Sequence, residues 1–467
     1  MSSKHLFLLF FYLFLCRFVD AEIGQNGICS LLGVIPFTND GRDHLGSATN
    51  NNNIGYSHLA AVRLAMRQFN TRNAEVVPEL QSDLIEGCNV SLNNFINIDS
   101  QYGGHAAATE IIKFLRDNDN EITTINDPCA VVGPKTDVPI SEVSVVAQSL
   151  AIPLVAYGGS DERFVNPNFH PLTSRTSSDS ESLAEAMTDY LVKVHKRTDY
   201  IVILYPLTDI GIQLREFIAV SFTRKNVTWI SVGYPSISWG SESAAQGSME
   251  EAARQIKESG YRTVLFVFES DQLDDLQSLG VAAEKYDINN GDYFWLMYGF
   301  GKPVNLDDFY QLNGTTTKLL RGAAAVQAVE NFVVNPDSDP FLKSWRSQGK
   351  DLVDEVNFVY PVKNVTDPGY YFGLPDYFNT TDPEIGAGFL FDAVMSIGFG
   401  ACIARNESEP VTSSLDHLNG IRESDFQGST GKVNFKDTSS TPGSRRSSGL
   451  TFGGYNLGVV DDETQEL

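Results

Sequence analysis

Short apolar runs alternate with longer amphipathic runs through the first third of the chain. The run SLLGVIPF at 30–37 has the length and composition of a strand, and Leu59, Val62, Met66 and Phe69 then recur at helical spacing. The alternation continues through predicted strands and helices, in chain order at 89–100, 105–117, 129–134, 139–150 and 152–157. A βαβαβαβ series of this kind predicts a parallel sheet with helices on both faces.

The same alternation restarts near residue 180. Predicted helices separate predicted strands at 199–206, 227–234, 262–268 and 292–300, so we expect a second sheet of the same kind. Two α/β units of similar length predict two lobes with a cleft between them. Further along, the pattern predicts a strand, a buried helix and a terminal β-hairpin, at 322–329, at 386–404, and at 428–437 with 447–457.

The segment from Gly299 to Pro383 contains many prolines and is predicted to be irregular structure. It also contains aromatic side chains that could anchor it to a core: Trp345, Phe358, Tyr360, Tyr370 and Tyr371. We therefore expect ordered irregular structure here, apart from the strand predicted at 322–329, and not a disordered linker.

Composition and charge narrow the classes of partner. The 467 residues are 42% hydrophobic and 20% charged, which is typical of a globular protein with two or three domains. The formal net charge is −25. Because such a surface repels phosphate groups and anionic lipids, neither nucleic acid nor an anionic membrane surface is an expected partner.

The N-terminus has the pattern of a secretory signal peptide. Lys4 precedes the apolar run LFLLFFYLFL, and the small residues Val19 and Ala21 suit cleavage, so 1–21 is predicted to be removed. A short N-terminal anchor is the alternative. No later apolar run looks long enough to cross a membrane, so membrane contact is expected only through a segment outside this chain.

The cysteines and the glycosylation acceptors fit an extracellular or cell-surface location. Cys16 leaves with the signal peptide, and an even number remains: Cys29, Cys88, Cys129 and Cys402. Acceptor sequences for N-glycosylation occur at Asn89, Asn226, Asn313, Asn364, Asn379 and Asn406. Both features are typical of proteins exported through an oxidising compartment.

The sequence lacks the common catalytic patterns. The seven histidines show no HExxH spacing, and neither a CxxC pair nor a GxSxG motif is present. The stretch GFGKP has Pro303 where a phosphate-binding loop needs Ser or Thr. We therefore expect a protein that is not an enzyme and uses no cofactor or metal.

Ligands of open parallel sheets bind at the carboxyl ends of the strands, and two such ends carry polar residues. In VVGPKTDVP the third strand turns through Thr136 and Asp137 into a helix, whose free N–H groups favour an anion such as a carboxylate. Alternatively, Thr136 or Asp137 only caps that helix. In VAYGGSDERF the fourth strand ends in Gly158 and Gly159 and is followed by polar residues, which form either a plain turn or a binding site.

Several stretches resemble a known family. The run from GPKTDVP through VAYGGSDERF to HPLTSRTSSDSESLAEAM is similar to the receptor-type ligand-binding region of the type I periplasmic-binding fold. That region is found in the ectodomains of class C G-protein-coupled receptors and natriuretic-peptide receptors. AAVRLAMRQFN, FDAVMSI and FQGSTGKVNFKD resemble further segments of it, in the same order. The resemblance covers essentially the whole mature chain.

The resemblance implies a two-lobed α/β fold in which each lobe is a mainly parallel sheet with helices on both faces. Three crossings are expected, near 158–163, 298–301 and 409–414. Lobe 1 would comprise 22–160 and 299–411, and lobe 2 would comprise 161–298 and 412–467. A small ligand would bind in the cleft, and closure of the lobes would pass a signal to a partner or to a membrane segment.

Carried over residue by residue, the resemblance gives part of a ligand site. Thr136 and Ser160 match hydroxyls that meet the ligand in amino-acid-sensing relatives, and Gly159 allows close backbone approach. The second lobe departs from the pattern. Ile210 replaces an aromatic residue, Tyr298 and Phe300 stand where an acid is expected, and IGAGF before the FDAV helix lacks the expected basic residue.

Asp209 or Glu162 could supply the missing acid. The predicted ligand-binding residues are therefore Thr136, Asp137, Gly159, Ser160, Asp209 and Tyr298. These departures leave the ligand's identity open beyond an amino-acid-like or other small polar compound.

The resemblance also implies a disulfide near the start of the first sheet. Cys29–Cys88 is the predicted pair, Cys29–Cys129 is the rival, and Cys402 is expected to be a buried free thiol.

The predicted function is the extracellular ligand-binding domain of a receptor, acting as a homo- or heterodimer through lobe 1. A stand-alone secreted solute-binding protein of the same fold is the alternative.

Overall fold

The structure is a computed structural model. It describes residues 27–37, 51–100, 104–118, 128–159, 161–236, 242–269, 273–300, 314–359, 376–407, 413–436, 443–446 and 450–457. The predicted signal peptide at 1–21 and Ser160 lie outside these ranges.

Strands and helices alternate as the apolar pattern predicts. The strands are β1 (Ile28–Ile35), β2 (Ser91–Asp99), β3 (Pro128–Val132), β4 (Leu154–Ala156), β5 (Thr173–Arg175), β6 (Ile201–Pro206), β7 (Trp229–Tyr234), β8 (Thr263–Glu269), β9 (Phe294–Phe300), β10 (Ala323–Val329), β11 (Asp425–Gly428), β12 (Gly431–Asn434) and β13 (Thr451–Leu457). The helices are α1 (Asn51–Thr71), α2 (Asp83–Glu86), α3 (Gly104–Asn118), α4 (Asp137–Ser149), α5 (Ser180–Asp189), α6 (Asp209–Arg224), α7 (Glu242–Ser259), α8 (Leu273–Lys285), α9 (Gly314–Leu320), α10 (Asn331–Val334), α11 (Pro340–Arg346), α12 (Lys350–Val359), α13 (Tyr377–Thr380), α14 (Ala387–Glu407) and α15 (Ser414–Glu423).

The chain divides into two compact units, each made of two segments. The first unit is Met1–Ser178 with Glu330–Thr451, and the second is Asp179–Val329 with Phe452–Leu467. Each unit has its own sheet.

The sheet of the first unit has the order β2-β1-β3-β4-β5, and every pairing in it is parallel. One face packs against α3 and α4, where Leu32, Val131 and Leu154 meet Ile111 and Val143 in a single buried cluster. On the other side, α14 contacts α1, β3 and β4. The predicted arrangement of a parallel sheet between helices is therefore confirmed for this unit.

The sheet of the second unit has the order β13-β10-β9-β8-β6-β7, and its pairings from β10 to β7 are parallel. Alternate residues of β6 enter different clusters. Val202 and Leu204 pack with residues of α7 and α8, whereas Ile201 and Ile203 pack with residues of α5 and α6. Because successive strand residues point to opposite faces, this sheet is covered by helices on both sides.

The boundaries between the units differ from the predicted crossings. The first boundary follows Ser178 and not residue 160, because β5 continues the first sheet by pairing with β4. This strand is short and polar (Thr-Ser-Arg), so the hydrophobic pattern does not reveal it. The second boundary follows Val329 and not residue 298, because β10 pairs with β9 in the second sheet.

The third boundary follows Thr451 and not residue 411. A buried network holds this last segment in the first unit: Asp392 of α14 accepts hydrogen bonds from the backbone N–H groups of Ser429 (2.7 Å) and Thr430 (3.1 Å). Arg445, 3.5 Å from Asp392 and equally buried, donates to the carbonyl oxygen of Thr176 at 3.1 Å. Burial raises the pKa of Asp392, while the charge of Arg445 lowers it.

The predicted terminal hairpin is also corrected. β11 pairs antiparallel with β12 within 425–434, whereas β13 joins the second sheet. Besides β10, which was predicted as a strand at 322–329, the segment 299–383 contains helices α9 to α13, so it is less irregular than predicted. Of its aromatic residues, Trp345 is fully buried but Phe358 is 87% exposed. Tyr360, Tyr370 and Tyr371 lie outside the described residues.

Helix α14 corrects the expectation that no later segment could span a membrane. By length and composition, Ala387–Arg405 is apolar enough to do so, with a mean hydropathy of 1.8. However, 94% of it is buried inside the first unit. This burial is typical of a core helix.

The predicted disulfide is wrong. Cys29 pairs with Cys129, the rival partner, across the neighbouring strands β1 and β3. Cys88 pairs with Cys402, which is therefore not a free thiol. The Cα–Cα distances are 5.3 and 5.6 Å, within the usual range. The sequence pattern could not show that α14 brings Cys402 beside the start of β2.

Among the glycosylation acceptors, Asn89, Asn226 and Asn379 are exposed, as glycosylation requires. Asn313 and Asn364 lie outside the described residues, and the surroundings of the Asn406 side chain are not described.

Candidate functional site

The candidate site in the first unit is formed by the turns that follow β3 and β4. Gly133 donates its backbone N–H to the carbonyl of Val155 at 2.9 Å, and Tyr157 donates to the carbonyl of Pro134 at 3.4 Å. The two turns therefore lie side by side at the carboxyl edge of the sheet, where open α/β sheets bind ligands.

The two glycines of VAYGGSDERF are required by this close approach. A Cβ atom at Gly158 would overlap the carbonyl oxygen of Lys135. Gly159 has φ +74°, in the left-handed region, and a Cβ there would lie 2.6 Å from Oδ1 of Asp137. The glycines thus allow the second turn to pack directly against the first.

Thr136 and Asp137 have different roles in the structure. Thr136 has the extended backbone of an N-cap residue of α4, but its side chain makes no cap hydrogen bond. Its partly exposed hydroxyl is therefore not used by the helix. Asp137 instead accepts a hydrogen bond from the backbone N–H of Asp161 at 3.3 Å, so its carboxylate supports the neighbouring turn.

A buried arginine also supports the turn that follows β4. The guanidinium of Arg175, which is 1% exposed, donates to the carbonyls of Gly159 (3.3 Å) and Asp161 (3.1 Å). Ser177 also donates to Gly159, at 3.2 Å. The buried carboxylate of Glu162 lies 3.9 Å from Arg175, so Glu162 belongs to this support and not to an exposed acidic site.

A polar cluster adjoins these turns. His58 of α1 and Lys135 both donate to the carbonyl of Ile385, at 3.2 and 2.8 Å. The other ring nitrogen of His58 lies 3.1 Å from the hydroxyl of Tyr157, and in the neutral imidazole this nitrogen accepts a hydrogen bond from that hydroxyl. Burial, followed by the charge of Lys135, lowers the pKa of His58 well below its usual value.

Glu330, the first residue of the returning segment, completes the cluster. Its buried carboxylate accepts the backbone N–H groups of Gly386 (2.9 Å), Gly388 (2.6 Å) and Phe389 (3.3 Å) at the start of α14. Burial raises the pKa of Glu330 to about 7, although these hydrogen bonds and the charge of Lys135 lower it. Glu330 thereby fixes the loop that Lys135 contacts.

The predicted residues of the second unit lie at its own carboxyl edge. Asp209 is exposed in the first turn of α6, after β6, and Thr208 caps that helix by accepting from Gly211 at 3.2 Å. Tyr298 lies in β9 and packs, partly buried, on the cluster that also contacts Ile210. Within each unit, the predicted residues therefore stand at strand ends or near them.

The structure brings Thr136, Asp137 and Gly159 together, and it places Asp209 and Tyr298 in the second unit. Sequence reasoning missed Lys135, His58, Glu330 and Arg175. Lys135 and Arg175 lie inside stretches that the motif analysis singled out. His58 and Glu330 give no sequence signal, because their partners are far away along the chain. In the parts of the chain that the structure describes, no group of three or more His, Cys, Asp or Glu residues could hold a metal ion.

Comparison with known proteins places this geometry in a family. A family model described as the receptor family ligand binding region matches residues 58–444. No curated protein matches the sequence. Among solved structures, the chain is similar to a leucine-binding protein, LivK, from Thermotoga maritima MSB8, with a TM-score of 0.53 and 11% identity. The match covers 91% of this chain and 97% of that protein, and it shows a type I periplasmic-binding-like fold.

Proposed function

We propose, from the premise that this chain belongs to the receptor family of ligand-binding regions, that it is the extracellular ligand-binding domain of a receptor. Its ligand is a small molecule, amino-acid-like or otherwise polar. The ligand binds at the carboxyl edge of a parallel sheet, and its binding favours the state of the protein that passes the signal on. The role is recognition and not catalysis.

The observation that carries this proposal is the unused hydroxyl of Thr136. It stands at the carboxyl edge of a parallel sheet, beside the Gly158–Gly159 turn, and the helix that it precedes does not use it as a cap. A polar group that is partly buried and left without a structural role at this edge is suited to bind a ligand. Gly159 and Ser160 supply backbone and hydroxyl contacts from the neighbouring turn.

The second unit contributes Asp209 and Tyr298 in this proposal. Asp209 offers a carboxylate to a cationic group, and Tyr298 offers a hydroxyl and a ring edge. Both lie at strand ends of the second sheet or near them, where open α/β sheets bind ligands.

We also propose that the protein is a cell-surface glycoprotein. In this proposal it dimerises through its first unit and reaches the membrane through a segment outside this chain. The two disulfides support an oxidising, extracellular setting. The exposed acceptors at Asn89, Asn226 and Asn379 are compatible with glycosylation.

The second candidate is a stand-alone secreted solute-binding protein. The observation that favours it is the similarity in fold to a protein described as leucine-binding. The full-length transcript distinguishes the two, because the receptor requires a membrane-spanning segment in the same protein.

A thermal-shift screen tests the proposed function. The protein is heated with amino acids, small amines and small carboxylates, each at millimolar concentration. A ligand at 100 times its Kd adds about 2.7 kcal/mol to the unfolding free energy, so a true ligand raises the melting temperature as its concentration rises. The absence of any saturable shift across the three classes would contradict a small polar ligand.

A further inference from the structure

Lys135 lies in the turn between β3 and α4, directly before Thr136. Its Nζ donates one hydrogen bond, to the carbonyl of Ile385 at 2.8 Å. An ammonium group has three N–H donors. Within the described ranges the other two have no partner, and Lys135 forms no ion pair with a described carboxylate. The candidate site therefore contains a cation whose hydrogen-bonding capacity is mostly unused.

Glu330 and Glu384 are the acids whose charges act on Lys135, but neither forms an ion pair with it among the described residues. Glu330 uses its carboxylate on the backbone of α14, through Gly386, Gly388 and Phe389. Glu384 acts on Lys135 through space. Burial lowers the pKa of Lys135 to about 8, against the opposing effect of these acids. The amine is thus charged at neutral pH but incompletely solvated, a state that an anion would relieve.

The polar groups of His58 and Asp137, close to Lys135, are already engaged in hydrogen bonds within the protein. His58 uses both ring nitrogens, on Ile385 and Tyr157. Asp137 is directed to the backbone of Asp161. The hydroxyl of Thr136, next to Lys135, is free of the helix cap. Two adjacent residues of one turn therefore hold the donors that remain.

Building on the proposed function, we infer that Lys135 is the specificity-determining residue of the site and selects ligands that carry a carboxylate. The carboxylate accepts from the free N–H groups of Lys135 and from the hydroxyl of Thr136. The chain as a whole carries a formal charge of −25, so an anion needs a local cation to bind. Charge-assisted hydrogen bonds supply both the affinity and the discrimination against neutral analogues.

Matched acid and amide pairs test this inference by isothermal titration. The probes are L-leucine with L-leucinamide, L-glutamate with L-glutamine, and succinate with succinamide. An acid that binds the wild type is expected to bind Lys135→Met about 10- to 100-fold more weakly, the usual effect of losing a charged hydrogen-bond partner. The affinity for its amide partner stays nearly unchanged, and Lys135→Arg keeps part of the preference for the acid.

Lys196→Met is the matched control, because Lys196 is an exposed lysine of the second unit. It should bind the acids as the wild type does. A purely structural role for Lys135 would weaken acid and amide together. The inference is overturned if an acid binds Lys135→Met with wild-type affinity, or if acid and amide lose affinity equally.

A second measurement decides the matter if none of these probes binds tightly enough for titration. The wild-type protein is labelled with trinitrobenzenesulfonate, an anionic amine reagent, and Lys135 and Lys196 are followed by peptide mass spectrometry. Succinate is expected to slow labelling of Lys135 at least about fivefold and to leave Lys196 unchanged, since a weakly bound carboxylate still shields the amine. Equal rates with and without succinate overturn the inference.

These two readouts separate the inference from the proposed function. Protection of Lys135 without any saturable ligand among the screened classes would support the anion site and contradict the proposed function. Saturable binding of amides or amines with an affinity that Lys135→Met leaves unchanged would support the proposed function and contradict the anion site.

Discussion

Cys88, just before β2, is bonded to Cys402 in α14, with Cα atoms 5.6 Å apart and a sequence separation of 314 residues. The bond joins the two segments of the first unit, between which the chain passes through the second unit. It closes a far longer loop than Cys29–Cys129, which spans 100 residues. In the chain-entropy account, the longer loop gives the larger stabilisation.

We therefore expect the double replacement Cys88→Ser with Cys402→Ser to lower the unfolding free energy by about 2–5 kcal/mol. Cys29→Ser with Cys129→Ser should cost less, because its loop is shorter. Urea denaturation of the two variants and the wild type measures both losses. A Cys29–Cys88 peptide in a non-reduced digest would contradict the pairing itself.

The glycine that ends the fourth-strand turn gives a second prediction. Gly158→Ala should destabilise the protein, because its Cβ would overlap the carbonyl oxygen of Lys135. Gly247→Ala is the matched control, since Gly247 lies exposed in α7 with no atom within 4 Å of the added carbon. That control should stabilise by about 0.5–1 kcal/mol, the helix preference of Ala over Gly. Melting temperatures that move in the same direction for both variants would refute the tight packing of the two turns.

Two threonines that precede helices distinguish a cap from a free hydroxyl. Thr208 accepts a hydrogen bond from Gly211 at the start of α6, whereas Thr136 makes no such bond at the start of α4. We expect Thr208→Ala to cost about 1 kcal/mol, and Thr136→Ala to stay within about 0.5 kcal/mol of the wild type. Thermal unfolding without ligand measures both. An equal loss in the two variants would show that Thr136 is a structural cap.

Glu330 makes stability depend on pH. Its pKa is about 7 in the folded protein and 4.5 ordinarily, so the folded state binds more protons between these values. The contribution of Glu330 to the unfolding free energy therefore falls as pH rises from about 4.5 to about 7, by about 3 kcal/mol. Lys135, with a pKa of about 8, stays charged through this window, and burial lowers the pKa of His58 well below its usual value.

The comparison with Glu330→Gln isolates this effect. The variant lacks the titrating group, so the difference in unfolding free energy, wild type minus variant, should shrink steadily from pH 4.5 to 7 and then more slowly until it levels off about one pH unit above the folded pKa of Glu330. Urea denaturation at half-unit pH intervals gives the two curves. Parallel curves would mean that Glu330 titrates normally.

The sequence predicted the parts of the fold whose signals are local. Strand β6 was recognisable from IVILYP, and α14 from its long apolar run. Strand β5 was missed because Thr173–Arg175 is polar and has only three residues, and it is a strand only because β4 lies beside it. The crossings were misplaced for the same reason, since a boundary depends on which sheet the last strand joins.

The candidate site was predictable to a similar degree. Thr136 and Gly159 follow strand ends, which a single sequence can show. Lys135 lies in the GPKTDVP stretch, but the sequence does not show that its amine contacts the carbonyl of Ile385, 250 residues away. Cys402 looked like a buried free thiol for the same reason, because its partner is distant in sequence.

The most direct test of the central claim is isothermal titration of the wild type, Thr136→Ala, Ser160→Ala and Thr208→Ala with the compound that gives the largest shift in the thermal screen. Losing one hydrogen bond to a ligand costs about 1.4 kcal/mol, or about tenfold in Kd. The account predicts that Thr136→Ala and Ser160→Ala each bind about tenfold more weakly than the wild type, while Thr208→Ala binds normally. Wild-type affinity in both of the first two variants would contradict a ligand site at the carboxyl edge of the first sheet.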